Sequence, residues 1–310
     1  EDQYGGWLGS NVIIDFEHFA AVCFAAFGDR VKHWITLNEP WCSAAVSYAM
    51  GMHAPGHKSA TEVYVAGHNL LLAHARAVQR YRAEFQPVQQ GQIGITLNMD
   101  WFEPLTTAEA DKEAAQRAMD FSGGWFADPV FKGDYPESMK KNCGKRLPAF
   151  TDAEKSLLRG SSDFLGLNHY TTCYVAERTL EKVAAARSTW DTKPEEGYFF
   201  DQQIRRKNDP NWLRTHMNWP VVPWGLCKLL LYLQKTYAPR HGIIVTENGC
   251  AVEENDLASA QHDAFRVEYF QSYIAQMHRA ISQGADIRGY FAWSLLDNFE
   301  WSHGYSKRFG

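Results

Sequence analysis

Two short apolar runs in the sequence each end at a glutamate that stands next to an asparagine. Residues 35–38 (Ile-Thr-Leu-Asn) precede Glu39, and residues 243–246 (Ile-Ile-Val-Thr) precede Glu247. Such a run is typical of a buried strand in a parallel sheet, with the polar residue placed where the strand reaches the surface. In an α/β barrel, the residues that perform chemistry lie at the carboxyl ends of the strands. We therefore expect Glu39 and Glu247 to form a carboxyl pair that only the fold can assemble.

A carboxyl pair is what the cleavage of a glycosidic bond requires. One carboxyl gives a proton to the leaving oxygen, while the other attacks the anomeric carbon or activates a water molecule. Their surroundings must separate the two pKa values, so that one group is protonated while the other is ionised. Tyr170 is able to donate a hydrogen bond to ionised Glu247. Other side chains offer contacts to the hydroxyl groups or the apolar face of a sugar, and these are Asn38, Trp293, Glu300 and Trp301.

Each of these features also has an ordinary structural explanation. A glutamate at a strand end is often solvated or paired with an arginine, and the Glu-Asn-Gly sequence at residues 247–249 is also typical of a turn. Tyr170 and the adjacent His169 are more often hydrogen-bonded core residues than catalytic groups. Spacing alone therefore leaves a glycosidase as one of several interpretations.

The pattern along the chain predicts five strands that alternate with helices. Such alternation is typical of right-handed βαβ crossovers and a parallel sheet, which makes the fold class α/β. Because Glu39 precedes Pro40, we expect Glu39 to be extended. The polar stretch 173–219 is expected to be an irregular, functional loop. The predicted strands are 31–37, 92–98, 162–168, a run ending at 247, and 287–293; the predicted helices are 11–27, 61–85, 108–121, one opening at Pro223, and 262–282.

Composition excludes several classes of function. Of 310 residues, 45% are hydrophobic and 22% charged, and 31 Lys and Arg against 36 Asp and Glu give a net charge of −5. This balance argues against nucleic-acid and anionic-membrane partners. The sequence has no apolar run of 18 residues, so we expect no membrane span. No metal-binding cluster or Gly-rich phosphate loop is apparent, so we expect no cofactor. The six scattered cysteines favour reduced thiols and a cytoplasmic protein, although any targeting peptide would precede residue 1.

Four motifs, taken together and in order, closely resemble glycoside hydrolase family 1. They are Thr-Leu-Asn-Glu-Pro at 36–40, Asp-Phe-Leu-Gly-Leu-Asn-His-Tyr at 163–170, Ile-Val-Thr-Glu-Asn-Gly at 244–249, and Trp-Ser-Leu-Leu-Asp-Asn-Phe-Glu-Trp at 293–301. The resemblance extends over the whole chain. It implies a TIM-barrel type (β/α)8 fold and a retaining β-glycosidase, in a family that includes β-glucosidases, β-galactosidases and lactase-like enzymes.

The resemblance also implies a role for each matching residue. Glu39 would be the general acid/base and Glu247 the nucleophile. Tyr170 would hold Glu247, with Asn168 behind it, and Asn38 would bond the sugar 2-hydroxyl. The remaining contacts to the sugar would come from Trp293 beneath its ring and from Glu300 and Trp301 at its distal hydroxyls. His169 stands where the family more often has Tyr.

The main departure from the family pattern is at the N-terminal side. Family members carry about two βα units and a further strand before the motif at residues 4–8, and the chain also stops short of the usual C-terminal segment. We therefore expect a single domain over residues 1–310 that forms about strands 4 to 8 of an incomplete barrel. Five strands would leave two exposed edges, since only closure removes them.

The leading hypothesis is a retaining β-glycosidase that acts on a small-molecule β-glycoside, most readily a β-glucoside, with β-galactosides or β-fucosides as further substrates. The first alternative is a catalytically impaired sugar-binding fragment in which both glutamates remain. The second is a split barrel that closes with a partner chain or, as a homo-oligomer, with a second copy that covers the exposed edges.

Overall fold

The computed structural model describes residues 4–178, 196–253 and 256–310 of the chain. A five-stranded sheet is the centre of the fold, and its strands lie in the order β1-β2-β4-β7-β8, all parallel. A second, three-stranded sheet has the order β3-β5-β6. The strands are β1 (His33–Asn38), β2 (Gln92–Asn98), β3 (Trp101–Pro104), β4 (Leu165–Asn168), β5 (Thr172–Glu177), β6 (Ile204–Lys207), β7 (Ile243–Asn248) and β8 (Ile287–Ala292).

Helices connect successive strands of the larger sheet, as parallel pairing requires. The α-helices are α1 (Asn11–Phe27), α2 (Glu62–Arg80), α3 (Gln86–Gln89), α4 (Glu109–Met119), α5 (Trp125–Lys132), α6 (Glu137–Cys143), α7 (Asp152–Leu158), α8 (Tyr198–Asp201), α9 (Pro223–Tyr237), α10 (Leu257–His262) and α11 (Ala264–Ser282). Three segments are π-helical, namely Cys42–Ala49, Tyr81–Phe85 and Asp120–Gly124. None of the helices in the described ranges is long and apolar enough to cross a membrane.

The core lies between the larger sheet and its helices. Ile95 of β2, Leu167 of β4 and Val245 of β7 are at most 1% exposed, and they belong to one apolar cluster with Leu70 of α2 and Leu229 of α9. The near-continuous burial of β2 and β4 is what a strand covered on both faces by other elements requires. Each of the three central strands, β2, β4 and β7, also pairs with a strand on either side.

The two outer strands are much more exposed than the central ones. Leu37 is the buried residue of β1, and every residue of β8 is intermediate or exposed. Ile35 on β1 is 43% exposed and Phe291 on β8 is 61% exposed. In the described part of the chain neither strand has a partner on its outer side, so the sheet has the two edges that the sequence predicted.

The larger sheet agrees with the sequence prediction, whereas the smaller sheet was missed. The predicted helix α1 and strand β2 have the observed bounds, and α9 begins at Pro223 as predicted. The stretch 173–219 is not wholly irregular, because most of β5, together with α8 and β6, lies within it; residues 179–195 are outside the described ranges. The predicted helix 262–282 is divided at Asp263, which has a positive φ of 42°.

Candidate active site

The carboxyl ends of three strands of the larger sheet, β1, β4 and β7, bring predicted site residues to one edge of the sheet. Glu39 directly follows β1, Asn168 is the last residue of β4, and Glu247 is the penultimate residue of β7. In the pairing of β4 with β7, Asn168 stands opposite Glu247. The parallel direction of all these strands is the reason that residues far apart in sequence meet here.

The backbone at Glu39 differs from the expected extended conformation. Its φ is +48°, in the left-handed region that non-glycine residues rarely adopt. The N–H of Glu39 donates to the carbonyl of Thr96 on β2 at 3.0 Å, and its carbonyl accepts from the N–H of Cys42 at 2.8 Å. The residue thus ends the strand pairing and begins the next helical turn at once. The following Pro40 disfavours the right-handed helical region for Glu39. The change from strand to helix within one residue is made instead with a left-handed backbone at Glu39.

Asn168 is the hydrogen-bonding centre of the site. Its side-chain N–H group donates to Glu39 Oε1 at 2.8 Å and to Asn38 Oδ1 at 3.1 Å. Its Oδ1 accepts from the hydroxyl of Thr246 at 2.6 Å, and because the carboxylate of Glu39 only accepts, the N–H group must face Glu39. Because Asn168 is 1% exposed, these bonds are shielded from water. One amide therefore links the ends of β1, β4 and β7.

Glu247 accepts a hydrogen bond from Tyr170, and its pKa depends on the charge of Glu39. The hydroxyl of Tyr170 donates to Glu247 Oε2 at 2.7 Å. Burial, followed by the negative charge of Glu39, raises the pKa of Glu247 to about 7, while hydrogen bonds from Tyr170, Asn168 and Asn38 oppose that rise. Burial also raises the pKa of Tyr170, so its hydroxyl stays protonated and donates. The protonation of Glu247 therefore depends on the charge of Glu39.

Glu300 and the two tryptophans lie on the chain that follows β8. Burial raises the pKa of Glu300, and the charge of Glu39 adds to this, while a hydrogen bond involving Trp293 opposes it. Trp301 is 60% exposed, and its ring stacks on His53 with centroids 4.6 Å apart. The structure thus brings Glu300 and Trp293 within reach of the carboxyl pair and places Trp301 at its outer side.

A cavity of about 450 Å³ has Cys42, the neighbour of Glu39 Oε2, in its wall, and neither Glu39 nor Glu247 lines it. Its lining includes Trp7, Cys42, Met52, His53 and Trp301. A larger cavity of about 850 Å³, with Gln92 and Asp163 in its wall, lies at the amino ends of the strands, away from both carboxyls. The chemistry of the site favours the smaller cavity as the place for part of a ligand. Nowhere in residues 4–178, 196–253 and 256–310 do three or more His, Cys, Asp or Glu side chains form a metal-binding group.

His169 is buried beneath the site. Burial lowers the pKa of its imidazole to about 4, so the ring is neutral. Its Nδ1 is 2.9 Å from the carbonyl of Met99, which only accepts, so Nδ1–H is the donor. Its backbone carbonyl accepts from the side chain of Asn248 at 2.7 Å. Its Nε2 is buried and has no hydrogen-bond partner among the described residues, so His169 is a core residue that is only partly satisfied.

Two residues near the carboxyl pair were not recognised from sequence. The thiol of Cys42 lies 3.0 Å from Glu39 Oε2. Asp100 follows β2, and burial, with a smaller effect of the charge of Glu39, raises its pKa to about 6. Asp100 had a recognisable signal, because it is an acid two residues past Asn98 at the end of an apolar strand. Cys42 had none, since a cysteine in an apolar segment is ordinarily a core residue.

The parallel sheet and its helices define an α/β protein with a pair of carboxyl groups at the strand ends, and comparisons with known proteins identify its family. The model of glycosyl hydrolase family 1 matches residues 1–310. The chain belongs to this family, and its fold is part of the family's (β/α)8 barrel.

The relatives with the greatest similarity include plant β-glucosidases. The chain is 44% identical over 325 residues to "Furostanol glycoside 26-O-beta-glucosidase" of Hellenia speciosa, covering all of this chain and 56% of that protein. It is 42% identical to "Beta-glucosidase 38" of Oryza sativa subsp. japonica, of which it covers 63%. The chain thus spans about three-fifths of the length of these curated relatives.

Solved structures show the same relationship. The rice Os3BGlu6 β-glucosidase matches with a TM-score of 0.91 and 39% identity, over 100% of this chain and 67% of that one. A glucose complex of a family 1 β-glucosidase from the fungus Humicola insolens matches with a TM-score of 0.89 and 42% identity, over 100% and 66%. These structures share the chain's entire described fold.

Proposed function

We propose that the protein is a retaining β-glycosidase that hydrolyses β-glucosides through a covalent glycosyl-enzyme, with Glu39 as acid/base and Glu247 as nucleophile. The observation that carries the proposal is the geometry at the strand ends. Asn168 and Tyr170 hold one carboxyl each, and the charge of one carboxyl alters the pKa of the other. Relatives named β-glucosidases support the substrate class.

In the first step, Glu39 gives its proton to the glycosidic oxygen and Glu247 attacks the anomeric carbon. The bond from that carbon to the leaving oxygen breaks, the aglycone departs as an alcohol, and an ester to Glu247 forms. The coupling of the pair favours this arrangement, because a proton on Glu39 removes the negative charge that raises the pKa of Glu247. The bond from Tyr170 further stabilises ionised Glu247.

In the second step, Glu39 takes a proton from water while the water oxygen attacks the anomeric carbon. The ester bond breaks, Glu247 leaves as a carboxylate, and Glu39 regains its proton. Two displacements at the same carbon retain the β configuration. Trp293, Glu300, Trp301 and Asn38 are the proposed contacts to the sugar, since each lies at the carboxyl-end edge of the sheet or in the chain that follows it.

The test is hydrolysis of 4-nitrophenyl β-glucoside by the chain and by Glu247→Ala and Glu39→Ala. Loss of either group is expected to lower the rate by about a hundredfold or more. Glu109→Ala is the matched control, because this exposed helical carboxyl pairs with Lys112 and lies outside the site. Its rate is expected to equal that of the unaltered chain.

Azide assigns the two roles separately. In Glu247→Ala, azide can enter the space of the missing carboxylate and attack directly, so the expected product is the α-glucosyl azide. In Glu39→Ala, azide attacks the glycosyl-enzyme and gives the β-glucosyl azide. Exchanged product configurations would reverse the assignment. A folded chain that binds glucoside without turnover would instead support the sugar-binding alternative, and turnover that appears only in an oligomer would support the split barrel.

A further inference from the structure

The two oxygens of Glu39 have different partners. Oε1 accepts from the side-chain N–H of Asn168 at 2.8 Å, and Oε2 lies 3.0 Å from the Sγ of Cys42. The carboxylate of Glu39 only accepts, so the amide of Asn168 presents its N–H group to Glu39 and its oxygen to the hydroxyl of Thr246, which can donate. An N–H group only donates, whereas a thiol both donates and accepts weakly. The two ends of the carboxyl are therefore not equivalent.

This asymmetry decides where a proton on Glu39 can lie. A proton on Oε1 would compete with the N–H of Asn168 for the same oxygen. A proton on Oε2 instead has the sulfur of Cys42 as an acceptor, and when the proton leaves, the thiol can turn its own hydrogen toward the resulting carboxylate. Burial and the charge of Glu39 raise the pKa of Cys42 well above its usual value, so the thiol keeps its hydrogen.

We infer that Asn168 and Cys42 act together as positioning residues that place the exchangeable proton of Glu39 on Oε2 and tune the pH at which it is released. This inference rests on the proposed role of Glu39 as acid/base. The thiol suits this position because hydrogen bonds to sulfur are weak. A proton held by sulfur leaves for the glycosidic oxygen at little cost, whereas a stronger acceptor would retain it.

The local backbone holds Cys42 in this place. The N–H of Cys42 donates to the carbonyl of Glu39, three residues earlier, at 2.8 Å. Residues 42–49 are π-helical, and the side chain of Cys42 contributes to the wall of the 450 Å³ cavity. Cys42 thus contacts Glu39 and also lines the cavity, and its position is set by the same turn that gives Glu39 its left-handed backbone.

Other titratable groups act on Glu39 as well. Besides Cys42, the described groups whose pKa responds to the charge of Glu39 include Asp100 after β2, Tyr170 after β4, Glu247 on β7 and Glu300 after β8. All of them stay in place when only Cys42 is changed. A shift that follows the chemistry of the side chain at position 42 therefore reports the contact of Cys42 with Oε2.

The test compares Cys42→Ala with Cys42→Ser. Loss of the donor in Cys42→Ala destabilises ionised Glu39, so the titration midpoint of this carboxyl is expected to move up by about half a pH unit or more. The hydroxyl in Cys42→Ser is a stronger donor, and the midpoint is expected to move down by a similar amount. The readout is the ¹³C resonance of the Glu39 carboxyl, assigned by its loss in Glu39→Gln, which needs no turnover.

Cys227 supplies the matched control, because it is a buried cysteine on α9 and its substitutions make the same chemical change away from the site. Cys227→Ala and Cys227→Ser are expected to leave the midpoint unmoved. Shifts of equal sign in the two Cys42 variants, or none beyond those of Cys227, would overturn the inference. Cys42→Ser replaces a single atom. If Cys42→Ala fails to fold, the shift of the midpoint in Cys42→Ser, compared with that in Cys227→Ser, still tests the inference.

A kinetic readout connects the inference with the reaction. Where the chain hydrolyses aryl β-glucosides, the basic limb of the pH profile of kcat/KM is expected to move in the same directions as the carboxyl resonance. A chain without turnover would contradict the proposed function. The resonance shifts would still test whether Cys42 affects the protonation of Glu39. Resonance shifts without a matching movement of the basic limb would show that Glu39 is not the acid of the reaction.

Discussion

At the scale of single residues, the hydroxyl of Tyr170 is the contact that most directly supports the proposed nucleophile. We expect Tyr170→Phe to lower kcat/KM for an aryl β-glucoside by about 10- to 100-fold, since a hydrogen bond to a charged group is worth about 1.5–3 kcal/mol. Steady-state kinetics measures this loss. Tyr305→Phe, at an exposed tyrosine, is the control with the same change. Equal rates for the two variants would show that Tyr170 has no part in the reaction.

The raised pKa of Glu247 makes a second prediction, on stability. A carboxyl with an ordinary pKa near 4.5 when unfolded and about 7 when folded binds more protons in the folded state between those values. Its contribution is therefore fully present below about pH 4.5 and is lost as the pH rises through 7. Glu247→Gln removes this loss. At each pH, we subtract the free energy of unfolding of the unaltered chain from that of Glu247→Gln. This difference is expected to be larger at pH 8 than at pH 4.5, by up to about 3 kcal/mol.

Urea unfolding at the two pH values measures this difference. Glu109→Gln, at the exposed carboxyl of α4, is the control and is expected to show the same pH dependence as the unaltered chain. A Glu247→Gln chain that loses stability with rising pH as steeply as the unaltered one would mean that Glu247 titrates normally in the folded state.

At the scale of elements, the ends of β7 and β8 meet at Gly249. The φ of Gly249 is not positive, so its backbone conformation does not require glycine. Glycine is needed because the backbone of Trp293 lies so close that an added Cβ would be 1.8 Å from its carbonyl oxygen. We expect Gly249→Ala to lower the free energy of unfolding by about 1–3 kcal/mol through overpacking. It is also expected to reduce turnover, because Glu247 and Trp293 adjoin the displaced backbone.

Chemical denaturation and steady-state kinetics check this prediction. Gly289→Ala is the matched control on the adjacent strand β8, where the nearest atom to an added Cβ is a side-chain carbon of Ile244 at 3.2 Å. A cost for Gly249→Ala no greater than that for Gly289→Ala would contradict the close approach.

The elements also show what the sequence can and cannot predict. Helix α1 and strand β2 have strong periodic patterns, and α9 opens on a proline, so their bounds were predictable. The strands of the smaller sheet are four to six residues long and do not stand out from loops. The strand-end motifs predicted Glu39 and Glu247 as site residues, and the structure places both at the carboxyl-end edge of the larger sheet. The backbone of Glu39 and the contact of Cys42 depend on pairing with β2 and on local packing, which no local pattern encodes.

At the scale of the whole molecule, the two unpaired strands favour association with a second copy. Edge strands with apolar side chains tend to pair with other chains. We expect the chain to self-associate with rising concentration and the double variant Ile35→Lys, Phe291→Lys to remain monomeric over a wider range. Sedimentation velocity measures this. Val88→Lys, at an exposed apolar residue of α3, is the control, and a chain that stays monomeric throughout would contradict the prediction.

The order of the larger sheet also determines when the site comes into existence. Its strands lie side by side in the order in which they occur along the chain. Domains can begin to fold during synthesis, from the N-terminal side, and a nascent chain complete to Asn168 already contains β1, β2 and β4 with Glu39 in place. Glu247 arrives only with β7, about eighty residues later by the printed numbering. A growing chain would therefore hold Glu39, together with the amide of Asn168 that binds it, before it holds Glu247, and the carboxyl pair would form only after β7 has been added.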